Sequence, residues 1–188
     1  KVEEEGATLL KNDGVLKITK NSKVTPFGYR YVSPFYGGTG SANIDTSDSY
    51  VITAEQGLAD SFSVNTEVVN AMKGATPVTM EYADGNDPTN LTEYNSTIYV
   101  GHEASCANTT AIIYIARPGT EGYDLNSSTP YDDGTKSQLE LTTREKEMIA
   151  FAKANCSKTV VLLITPTPMM VQSLQNDSGI NAIIWAGL

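Results

Sequence analysis

The feature that most limits what this chain can fold into is a pair of apolar runs, Ala111 to Ala116 and Thr159 to Thr165, separated by a capped helical stretch. A strand with one wet face alternates polar and apolar residues, whereas a run that is apolar at successive positions needs cover on both faces. Between the two, Thr142-Thr-Arg-Glu145 has the form of a capping box. The helix it opens would turn Met148, Ile149 and Ala152 toward a sheet before ending near Asn155. A third strand is predicted over Asn181 to Gly187. Strand, helix and strand in alternation call for right-handed crossovers. The predicted fold class is therefore α/β: a mostly parallel, doubly wound, flavodoxin-like sheet with helices on both faces, a three-layer sandwich.

In such sheets, ligands collect outside the carboxyl ends of the strands. Two loops leave predicted strands at that rim. After Ala116 comes Arg-Pro-Gly-Thr-Glu121-Gly-Tyr-Asp124. Pro118 cannot donate a ladder hydrogen bond, and Gly119 and Gly122 permit a sharp turn, so the strand stops and Glu121 sits on the loop. By itself a loop glutamate is most often a solvated surface group. After a predicted strand over Lys23 to Gly28, in which Pro26 implies an edge position or a bulge, comes Tyr36-Gly-Gly-Thr-Gly-Ser41. No lysine follows these glycines, and the third glycine of a dinucleotide fingerprint is missing, so composition favours a plain turn over a phosphate cradle.

Elsewhere the pattern predicts a helix over Val2 to Lys11, closed by Asn12-Asp-Gly14. Further helices are predicted over Thr53 to Leu58 and Glu67 to Lys73, and short strands over Phe62 to Val64, Val78 to Tyr82 and Ile98 to Val100. The polar stretch Ala83 to Thr97 reads as a surface excursion, and Leu125 to Lys136 as turn-rich. Thr167-Pro168 is expected to open a helix that turns Met170 and Leu174 inward. Residues 1–22 form a leader entering the domain, and residues 23–188 form the domain. The chain starts without Met and stops on a core strand, so it is expected to be a piece of something longer, incomplete at its C-terminus.

A net charge of -9 argues against nucleic acid and anionic membrane surfaces as partners. No apolar run approaches the roughly 18 residues of a membrane helix. Cys106 and Cys156 lie 50 residues apart and form no C-x-x-C pair, which predicts buried free thiols rather than a zinc or redox site. His102 has no second histidine to support a metal, so no metal or cofactor is implied.

Four segments together carry a resemblance: Glu5-Gly-Ala-Thr-Leu-Leu-Lys-Asn12, the Tyr36 to Ser41 loop, Ile115-Ala-Arg-x-Gly-x-Glu-Gly-Tyr-Asp124, and the closing strand with Trp185. In this order they resemble the second domain of glycoside hydrolase family three, the β-glucosidase and β-xylosidase family. The resemblance implies retaining hydrolysis of β-linked sugars at the boundary between a barrel and an α/β sandwich. The nucleophile would be an Asp of the N-terminal barrel of the same protein, and Glu121 the general acid/base. Ser41 would offer a hydroxyl to the substrate. Arg117 and Asp124 are candidates for touching sugar hydroxyls, or for pairing with each other. Ala42 stands where the family often has glycine, and Leu125 where it usually has arginine. The implied partners are a β-linked oligosaccharide or glycoside and the barrel.

Retention requires two carboxyl groups about 5 to 5.5 Å apart, so this chain alone is expected to be inactive. The competing reading is a non-catalytic α/β module that binds a small ligand or partner at its sheet edge, since doubly wound sheets host many functions.

Overall fold

The computed structural model describes residues 5–36, 45–47, 50–81, 88–119, 121–123 and 129–187. A six-stranded sheet runs through the molecule in the order β1-β8-β7-β6-β2-β3. Its strands are β1 (Thr8–Asn12), β2 (Lys23–Phe27), β3 (Ser63–Val64), β6 (Thr110–Ala116), β7 (Lys158–Ile164) and β8 (Ala182–Trp185). All neighbours pair in parallel except β1, which lies antiparallel on β8. The predicted central strands are therefore present. Ala111 to Ala116 is buried at every position, as expected of a strand covered on both faces.

Pro26 has a clear place. β2 pairs with β6 along Val24 to Phe27, but β3 covers only Lys23 and Val24. The Val24 carbonyl accepts from Asn65 on the β3 side. Two residues on, Pro26 faces that same side, where the ladder has ended and no donor is required.

The helices are α1 (Tyr29–Val32), α2 (Ala54–Ala59), α3 (Thr66–Gly74), α4 (Glu103–Cys106), α5 (Thr143–Asn155) and α6 (Gln172–Gln175). The capping box of α5 forms as predicted: the Thr142 hydroxyl accepts from the Glu145 amide, and Glu145 accepts from the Thr142 amide. Met148, Ile149 and Ala152 are buried beneath it. One continuous core joins them to Val24, Phe27, Ile113, Ile115, Val161 and Ile183. Among the described residues, no helix is long and apolar enough to cross a membrane.

Four expectations fail. Of the predicted leader helix, Glu5 and Gly6 are helical but Thr8 onward is the strand β1, because β8 offers an open ladder and pairing overrides a weak helical preference. Lys11 fastens it by donating to the carbonyls of Gln175 and Asp177. The predicted strand at Ile98 is a 3₁₀ turn, Ser96–Tyr99. The helix expected from Thr167 begins only at Gln172, leaving Met170 exposed while Leu174 is buried. The supposed surface excursion contains β5 (Leu91–Glu93), which pairs antiparallel with β4 (Val78–Met80) and buries Leu91, Glu93 and Tyr94.

Candidate active site

The parallel strands reverse direction of travel once. From β2 the chain steps outward to β3, then returns to β6 on the other side of β2 and proceeds to β7 and β8. The segments after β2 and β6 thus leave the same rim and diverge, opening the crevice where doubly wound folds bind ligands. The turn that bears Glu121 follows β6 from this rim, whereas residues 37–44 of the glycine-rich loop lie outside the described residues.

The β2 side begins at Gly28, with φ at 105°. A Cβ there would stand 2.5 Å from the Tyr114 carbonyl oxygen, so only glycine lets β2 turn away beside β6. The Gly28 amide donates to the Tyr99 hydroxyl, and the next amide, Tyr29, donates to Glu93 Oε1 at 2.8 Å. Glu93 Oε1 also accepts from the Tyr94 amide at 2.8 Å. The residue is only 3% exposed. Burial pushes its carboxyl up to about 8, with the charge of Glu145 adding to the rise, while the two amides and Arg30 oppose it. Arg30 itself is stacked over the Phe35 ring at 3.7 Å and the Tyr29 ring at 4.9 Å.

The β6 side begins at Arg117, 1% exposed. Its Nε donates to the Gln138 carbonyl, its Nη1 to the Ala116 carbonyl and Glu145 Oε1, and its Nη2 to the Glu140 carbonyl and Glu145 Oε2. All five N–H groups are engaged, the two to Glu145 as a fork at 2.6 and 2.9 Å. Arg117 is therefore an ion-paired anchor with Glu145 as its counter-ion. Each of its N–H groups has a partner among the described residues, which favours an anchoring role, while Asp124, its other candidate partner, lies outside them. Glu145 holds the helix start and the guanidinium at once.

Beyond this anchor the chain surfaces. Glu121 is exposed, Gly122 has φ at 82°, and Tyr123 is 51% exposed. The positive φ fits the glycine requirement inferred for this turn. Ser41 and Asp124 lie outside the described residues. His102 sits half-buried ahead of α4, its Nδ1 3.8 Å from Glu67.

Sequence reasoning missed Glu93. Its signal was a Glu set between Leu91 and Tyr94 in a short alternating run, too brief to separate from a polar loop. The partnership of Arg117 with Glu145 was equally hidden, although each residue was noted separately.

The sheet order defines a flavodoxin-like α/β sandwich whose switch point lies at the β2/β6 divide. Residues 7–188 match the glycosyl hydrolase family 3 C-terminal domain, and the chain belongs to that family. Among curated proteins it is 25% identical to a probable beta-glucosidase A of Emericella nidulans, over all of this chain and 21% of that protein. It is 23% identical to beta-glucosidase 1 of Aspergillus aculeatus, again over all of this chain and 21% of that protein. The chain thus spans about a fifth of the length of these relatives. Among solved structures, a beta-glucosidase from Paenibacillus barengoltzii superposes with a TM-score of 0.73 at 21% identity, covering 98% of this chain and 20% of that one. Beta-glucosidase 3B from Thermotoga neapolitana, solved in complex with alpha-D-glucose, superposes with a TM-score of 0.69 at 21% identity, covering 98% of this chain and 26% of that one.

Proposed function

We propose that this chain is the α/β sandwich of a retaining β-glycosidase, and that Glu121 is the general acid/base of an active site completed by an N-terminal barrel of the same protein. The substrate class is β-linked glucosides or related glycosides. The observation that carries the reading is the position of Glu121: an exposed carboxylate on a glycine turn at the switch-point rim, in a domain whose relatives are beta-glucosidases. Arg117 and Glu145 hold the root of that turn still, while Ser41 and Asp124 remain the candidate substrate contacts. A general acid must carry a proton before bond cleavage, and enclosure by a second domain is the physical means of raising an exposed carboxyl's pKa.

The test is the full-length protein with Glu121→Ala. Glycosides with poor leaving groups should lose about 10²–10⁴-fold in kcat/KM, while activated aryl glycosides lose far less. Equal losses for both classes would remove Glu121 from the role.

A further inference from the structure

Cys106 and Cys156, remote in sequence, meet in the fold. Cys106 is the last residue of α4, three residues ahead of Thr109, and Cys156 caps the C-terminus of α5 just ahead of β7. β6 and β7 run in register from Thr110 and Lys158. Thr109 ties the two approaches together. Its hydroxyl is in contact with the Cys106 carbonyl at 2.8 Å and with Cys156 Sγ at 3.6 Å, and its carbonyl accepts from the Ser157 amide at 2.9 Å. The two side chains interact across this junction, and both are free thiols.

We infer that Cys106 and Cys156 are a disulfide-forming pair, a covalent modification site that links the end of α4 to the end of α5 at the amino edge of the sheet. The two sulfurs have unequal roles. Cys156 is half-buried and reachable, and hydrogen bonds from Cys106 and Thr109 lower its thiol pKa, favouring the thiolate. Cys106 is fully buried, and its interaction with Cys156 together with burial raises its thiol pKa. The oxidant is a small-molecule disulfide such as oxidised glutathione. The Cys156 thiolate, its proton released to solvent, attacks one sulfur and expels a glutathione thiolate, leaving a mixed disulfide. The Cys106 thiol then loses its proton and attacks the Cys156 sulfur, expelling the second thiolate. Two cysteine thiols are oxidised and one glutathione disulfide is reduced to two glutathione thiols.

This edge lies at the opposite ends of β6 and β7 from the rim that bears Glu121, so the inference is independent of the proposed activity. The experiment exposes the full-length protein to oxidised glutathione, alkylates remaining thiols, digests without reduction and maps peptides by mass spectrometry. The expected result is a cross-linked pair of peptides containing Cys106 and Cys156, lost on reduction, with Tm about 5 °C or more higher in the oxidised form. Cys106→Ser should accumulate glutathione on Cys156, whereas Cys156→Ser should leave Cys106 unmodified. If the buried Cys106→Ser substitution prevents folding, the wild-type map and Cys156→Ser decide the matter. Alkylation of both wild-type cysteines after oxidation, or glutathione retained on Cys156 beside a free Cys106, would overturn the inference.

Discussion

Two regions of the same rim treat a carboxyl group in opposite ways. Beside β6, Glu145 is buried with a guanidinium whose every N–H is engaged. Beside β2, Glu93 is buried on two backbone amides, with Arg30 contributing only at a distance. Two amides stabilise negative charge less than a forked ion pair, so burial dominates and the Glu93 carboxyl is held protonated well above its ordinary range. Glu121, five residues past β6, is exposed on its turn. The contrast separates two carboxyls enclosed within this domain from one that stands at its surface.

The largest expected effect tests that separation. In the full-length protein, Glu121→Gln should abolish the alkaline limb of the kcat/KM profile while leaving this domain's Tm within about 1 °C, as befits an exposed position. A limb that survives would place the acid elsewhere. Next comes Arg117→Leu, which leaves Glu145 buried without its counter-ion and should cost about 3–5 kcal/mol by urea denaturation. Arg117→Leu combined with Glu145→Gln should recover part of that loss, because the glutamine keeps the capping box without a stranded charge. Strict additivity would show that the two residues are not coupled.

Glu93 provides a test of opposite sign. Its carboxyl is raised from 4.5 to about 8 in the fold. Below pH 4.5 folded and unfolded forms are both protonated, and the group imposes no penalty. Between 4.5 and 8 the unfolded chain ionises while the fold resists, so stability declines as pH rises, and the decline levels off above 8. Glu93→Gln should flatten that slope and stabilise the domain at pH 8 by on the order of 2 kcal/mol, less than the full pKa displacement because an ionised carboxylate can recruit water. An unchanged slope between pH 5 and 8 would show that Glu93 is already ionised. The smallest effect is expected at Thr142→Ala, which removes the N-cap hydroxyl of α5 and should cost about 1 kcal/mol.

The central strands were legible because a doubly covered strand must be apolar throughout, and the capped helix because its termini are marked by Thr142 and Glu145. The edge of the sheet was not. β1 is a strand only because β8 lies open beside it, a fact of pairing that no local pattern in Thr8 to Asn12 carries. The same limit applies to the site. The turn at Glu121 was legible from its glycines, since backbone conformation leaves a local trace, whereas the role proposed for Glu121 came from the family resemblance. Glu93, Arg117 with Glu145, and Cys106 with Cys156 depend on segments brought together across tens of residues. Spacing gave each of them away only after the sheet order was known.

The fully engaged guanidinium of Arg117 also serves as a mooring. Glu121 lies four residue steps further on, and an extended chain advances by about 3.4 Å per residue, so the Glu121 Cα can stray no more than about 14 Å from that fixed post. Whatever the carboxylate touches must lie within that radius plus the reach of the glutamate side chain. If the proposed role holds, the tether therefore limits how far from the sheet rim a substrate can be met.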